Sequence, residues 1–144
     1  MNYSWRPIIG PDIEPLTNLA LPQLQEEVEE FSTVDRSYCN HNLTLAVVNQ
    51  FYSPLTDLAS VATDENGKIL AFTVATATES PFWSKDRMVS VIIAHVDNML
   101  PTKTKVRLVQ DMLNLYEGFA VAAQLNLICS NTTRRQQTGF LKLH

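Results

Sequence analysis

The sequence predicts an α/β (α+β) domain: one mixed, mostly antiparallel twisted sheet flanked by helices. Three observations lead there. Two β-type runs, 58–63 and 69–78, are joined through Asp64-Glu65-Asn66-Gly67, and Asn-Gly is the strongest short hairpin signal. A third β run, 88–96, is followed by a long amphipathic segment and a further short β run. Such a strand–helix–strand crossover implies locally parallel neighbours. Ahead of the hairpin, the apolar residues fall at helical spacing.

The 144 residues suit a single domain, 1–144, because domains typically run to about 100–200 residues. A chain of this size buries roughly two-thirds of its unfolded surface and needs no staple. The hydrophobic share of 45% argues against disorder, and the net charge of −4 against general nucleic-acid affinity. Cys39 and Cys129 lack metal spacing and read as reduced thiols. Residues 1–10 contain no leader-type apolar run, and no stretch reaches the roughly 20 apolar residues of a membrane span. The expected location is therefore the cytoplasm, where the acceptor patterns at Asn42 and Asn131 are chance matches for glycosylation.

In chain order, residues 3–9 suit a short edge strand ending at Gly10-Pro11. Asp12 is the expected N-cap of a helix carrying Leu16 and Leu19, which Pro22 should break or restart. The next segment presents Leu24, Val28 and Phe31 on one face, with Glu26, Glu27, Glu29 and Glu30 read as its solvated side. Residues 42–52 form a further helix through Leu43, Val47 and Phe51, stopped by Ser53-Pro54. After the β runs and Pro101, a stripe of Val106, Val109, Met112, Leu113, Tyr116, Phe119, Ala120 and Ala123 marks the long helix. Residues 125–130 read as a strand and 134–144 as a last helix.

This order of elements resembles the GNAT superfamily of acetyl-CoA-dependent N-acetyltransferases, most specifically over residues 88–144. The ending Gly139-Phe140-Leu141-Lys142-Leu143-His144 is similar to the final helix of GNAT-like proteins encoded by tailed phages. The resemblance implies that the third β run and the strand after the long helix splay apart to hold the cofactor. Acetyl-CoA would then lie against Ile93, Ala94, Val96 and Asn131, with its diphosphate at the start of the long helix. The family loop there reads Arg-x-x-Gly-x-Gly or Ala. This chain has Leu100-Pro101-Thr102-Lys103-Thr104-Lys105, with neither the Arg nor a glycine. Either Lys103, Thr104, Lys105 and Arg107 meet the diphosphate, or the lysines are solvated and the cofactor is lost. Cations at a helix N-terminus are unfavourable by roughly 0.3–1 kcal/mol each, a cost that an anion would offset.

Acetyl transfer to an amine needs a proton acceptor and a donor for the departing thiolate. His95 and Asp97 alternate to one face of the third β run and are the candidate bases, with Glu79 a weaker one. His144 falls near the family's acidic tyrosine, though terminal residues are commonly mobile. Cys129 has no histidine partner placed by a motif, and Tyr116 and Trp83 read as packing residues. The resemblance further implies that the strands completing the sheet are missing. The sequence is then a truncated form, or a protein partner covers the exposed side, as in a catalytically silent component of a larger assembly such as a phage particle.

Overall fold

The computed structural model describes residues 2–79, 84–132 and 137–143. The chain runs β1 (Tyr3–Pro7), a 3-10 turn (Gly10–Asp12), α1 (Ile13–Val28), α2 (Arg36–Tyr52), β2 (Asp57–Asp64), β3 (Ile69–Glu79), β4 (Arg87–Val96), α3 (Thr102–Ala122), β5 (Leu127–Thr132) and β6 (Gln137–Lys142). The six strands form one sheet in chain order, antiparallel except at the β4–β5 pair. The predicted mixed α+β class is what the coordinates contain.

The β2–β3 hairpin closes as its sequence directs. Gly67 adopts a φ of +80°, which an L side chain resists. The Asp64 carboxylate accepts the amides of Asn66 and Lys68, both at 2.9 Å, so one side chain fixes the turn.

Helices cover both faces. On one side α1 and α2 set Leu16, Ala20, Leu43 and Ala46 against Ile8, Ala59, Val61, Phe72 and Val74. On the other, α3 sets Leu108, Met112, Tyr116, Phe119 and Ala120 against Ala71, Ala75, Val89, Val91 and Ile128. Each fully buried apolar side chain of this kind contributes roughly 1.5–3 kcal/mol. The buried stripe of α3 is narrower than the sequence suggested. Val106, Val109 and Leu113 are exposed, because a helix lying on one sheet buries a single face and Leu108 takes the place in it.

Several other expectations need correction. Helix α1 continues through Pro22, which lies on its exposed side while Leu16, Ala20 and Leu24 hold both halves on the sheet. Asp12 does not cap α1 with its side chain. Its carboxylate takes a forked pair of bonds from Arg6 (2.7 and 2.9 Å) and the Ile9 amide (2.9 Å), pinning β1 to the start of the helix. Helix α2 starts at Arg36, where the Asp35 side chain accepts the Tyr38 amide, and Phe51 is exposed.

The largest correction concerns the end of the chain. Residues 137–142, expected inside a closing helix, form β6 and pair antiparallel with all six residues of β5. Thr138 and Gly139 are poor helix formers, and the outer edge of β5 offers a row of backbone groups for pairing. A sixth strand therefore stands where the sheet was expected to stop.

Helix α3 ends in a Schellman arrangement: the Leu125 amide donates to the Ala120 carbonyl (2.8 Å) and the Gln124 amide to the Val121 carbonyl (3.1 Å). The left-handed position is filled by Gln124, at φ +59°, where glycine is the usual occupant. Gln124→Gly should raise stability by about 0.5–1 kcal/mol in urea denaturation, since it removes the Cβ penalty.

Candidate functional site

Strand β4 carries the irregularities that create the site. Opposite β3, Val74 faces Ile93 and Ala75 faces Val91, leaving Ile92 as an extra residue. The bulge reverses the alternation of the strand. Val89 and Val91 point into the α3 core, whereas Ile93 joins the α1/α2 core and Val96 returns to the α3 side. His95 follows Ile93, its ring centroid 5.7 Å from that of Phe72.

On its other edge β4 pairs with β5 at only three positions, Val89–Ile128, Ser90–Cys129 and Val91–Ser130. Beyond Val91 the two strands have no further register, although β4 continues to Val96 and β5 to Thr132. The β5-facing backbone of Ile92 to Val96 is thus open to a ligand. The expected parting of these strands is present in the register. Ala94 is exposed here and Val96 half-buried, while the Ile93 carbonyl accepts the Thr73 hydroxyl at 2.8 Å.

Helix α3 starts beside this gap. Its N-cap is Pro101, which supplies no side-chain acceptor, and the first helical backbone bond runs from the Lys105 amide to the Pro101 carbonyl (3.0 Å). The amides of Thr102, Lys103 and Thr104 precede that bond and have no helical acceptor. Lys103 is exposed, and Thr104 and Lys105 are half-buried. Arg107 lies over the ring of Tyr3 (5.1 Å), on the β1 side of the helix, where Tyr3 and Trp5 both donate to Asp111. Extended unpaired backbone next to open helix amides and two lysines suits a long ligand with an amide-bearing arm and an anionic end, which is the chemistry of an acyl-coenzyme A.

His95 and Asp97 are both buried, and Asp97 lies close enough to act on the His95 charge. Asp97 serves the turn after β4: its carboxylate accepts the Met99 amide (3.0 Å) and its own amide donates to the Leu70 carbonyl (2.9 Å). Burial pushes the His95 imidazole below its ordinary value, against the opposing pull of Glu27 and Asp97. Glu27 corrects the reading of the four glutamates as one solvated face. It continues the stripe Leu16, Ala20, Leu24 at helical spacing and is half-buried toward His95, whereas Glu26, Glu29 and Glu30 are exposed. That spacing was the signal available in the sequence.

The remaining candidates do not gather here. Glu79 closes the opposite end of β3, paired in register with Arg87. Burial raises the Cys129 thiol, which makes it a poorer nucleophile. Tyr116 is a packing residue whose hydroxyl meets that of Thr73 at 2.5 Å. Asn131 is in β5, opposite Thr138. His144 and Trp83 lie outside the described residues, and the helix to which His144 was assigned is replaced by β6.

A separate cavity of about 460 Å³ lies between α1, α2 and the sheet, reaching Ile92 and Ile93 at the bulge.

No protein-family model and no curated protein matches the chain by sequence. Solved structures match it by shape. A protein of Clostridium acetobutylicum described as a predicted acetyltransferase, solved with acetyl-CoA, superposes with a TM-score of 0.71 at 15% identity, over 94% of this chain and 84% of the other. The PaiA N-acetyltransferase of Thermoplasma acidophilum, in complex with coenzyme A, gives 0.64 at 12%, over 95% and 83%. A GNAT-family acetyltransferase of Staphylococcus aureus Mu50 gives 0.66 at 12%, over 91% and 74%. The chain therefore has the fold of the GNAT N-acetyltransferases.

The lowered basicity of His95 has a consequence for stability. A group whose folded value is depressed favours folding fully above its unfolded value, near 6.5, and withdraws that support as pH falls through the folded value. The urea midpoint of the wild type should therefore drop between pH 7.5 and 5.5. In His95→Gln that part of the slope should vanish.

Proposed function

We propose that this chain is an acetyl-CoA-dependent N-acyltransferase acting on an amine. The observation that carries the reading is the three-residue β4–β5 register, which leaves open backbone beside the uncapped start of α3. The GNAT-like fold supports it, as do neighbours solved with acetyl-CoA or coenzyme A.

In this reading the backbone from Ile93 to Val96, with Asn131 across the gap, holds the pantetheine arm. The amides of Thr102, Lys103 and Thr104 receive the diphosphate. Lys103 and Lys105 supply the charge that close glycine packing supplies elsewhere in the family; Arg107, engaged with Tyr3, is a more distant contributor. Bound acetyl-CoA contributes an acetyl group activated as a thioester. His95, kept neutral by burial, accepts the proton of the amine on a ring nitrogen, and the carboxylates of Glu27 and Asp97 stabilise the resulting imidazolium.

A second reading is favoured by the glycine-free turn at 100–105. It keeps the fold without the reaction, as a structural or assembly component. Such a component would belong to a larger assembly, for example a phage particle.

Calorimetric titration with acetyl-CoA separates the two. The acyltransferase reading expects a binding heat that weakens with salt, and an affinity loss of about tenfold or more in the double variant Lys103→Glu, Lys105→Glu. No heat at high protein concentration would leave only the silent component. With acetyl-CoA bound, His95→Gln should lower kcat by roughly 10²–10⁴ in a thiol-release assay over a panel of amines, leaving acetyl-CoA affinity unchanged.

A further inference from the structure

The cavity between α1, α2 and the sheet has an unusual charge pattern. Its walls include Leu16, Ala20, Leu43, Ala46, Phe72 and Val74, and its polar lining is the uncharged Thr17, Cys39, Asn42 and Asn49. One charged side chain faces it among the described residues, Asp57 at the start of β2. Asp57 follows the alternation of Ala59 and Val61, so it stands on the α1/α2 face of the sheet. The residue is only 8% exposed. Its backbone pairs with Thr76 and its amide donates to the Ser53 carbonyl (3.4 Å). Its carboxylate has no hydrogen-bond or ion-pair partner among the described residues, its oxygens are not fully enclosed, and the residue lines the cavity.

A carboxylate held in apolar surroundings without a counter-charge is costly, and proteins neutralise or pair such groups. Here the space in front of it is large enough for a small organic molecule, and the other walls are hydrocarbon or uncharged polar groups. The geometry points to a binding site for an organic ammonium ion: its cationic nitrogen pairs with Asp57, and its apolar body fills the space over Phe72 and Val74 toward Ile93. Neutral molecules of the same shape gain only the apolar part, and anions are repelled. The cavity extends to Ile92, where β4 begins to part from β5. That the bound cation is also the acetyl acceptor rests on the acyltransferase reading; that it binds does not.

The test is a calorimetric titration of the full chain with n-hexylammonium chloride and with 1-hexanol, near neutral pH and without acetyl-CoA. Hexylammonium should bind about tenfold or more tightly than hexanol, as expected for a charge-assisted pair in a partly dry site. In Asp57→Asn, hexylammonium should fall to the level of hexanol while hexanol affinity is unchanged. Equal affinities in the wild type, a preference that survives in Asp57→Asn, or no binding of hexylammonium would each overturn the proposal. If Asp57→Asn does not fold, the wild-type comparison decides alone. Hexylammonium binding in a protein that gives no heat with acetyl-CoA would keep the cation site and remove the transferase; the converse would remove the cation site alone.

Discussion

A buried pair of hydroxyls sets the geometry on which the site depends. Thr73, wholly enclosed in β3, donates to the Ile93 carbonyl one residue beyond the bulge and meets the Tyr116 hydroxyl of α3. Three elements are thereby tied at one point: the strand that supports β4, the strand that opens, and the helix whose amino end faces the opening. In such a dry setting an unmade hydrogen bond costs about 1–3 kcal/mol, so the arrangement resists sliding. The bulge is thus a fixed part of the architecture, and α3 cannot shift along the sheet without leaving a hydroxyl unpaired.

From that point the two halves of the site take different characters. On the α3 side the groups on offer are backbone amides and lysines, which suit a long anionic ligand and ask little of side-chain identity. On the α1/α2 side the groups are specific: His95 against Phe72, Glu27 reaching in from α1, and a cavity with its own carboxylate. The sheet thus separates a layer that offers backbone groups and lysines from one that offers specific side chains.

Much of the fold was legible because its signals are local. Asp64 and Gly67 encode the hairpin within four residues, and the 3.6-residue period after Pro101 marks α3. The sequence failed where a distant partner decides. Residues 137–142 carry two adjacent apolar positions, Phe140 and Leu141, that fix no period, and the free edge of β5 resolves the segment as strand. The same holds for the site. Alternation put His95 and Asp97 on one face, but the side of the sheet depends on the bulge at Ile92, for which the apolar run 88–96 has no marker. Glu27 was hidden among three solvated acids, and Asp57 resembled any polar residue at the mouth of a strand.

The extra residue at Ile92 also bears on how such a protein can change. Because Ile92 is the residue that β3 leaves unmatched, losing it would restore plain alternation and keep every later residue on its present face. Straightening the bulge with Ile92 retained would instead exchange the faces of everything that follows up to the turn. In the straightened strand Ala94 and Val96 would look toward α1 and α2, and the imidazole would be delivered to the opposite layer. The layer that receives His95 is therefore set by the bulge together with the residue it absorbs, so a descendant could shed both at once and keep its imidazole in place.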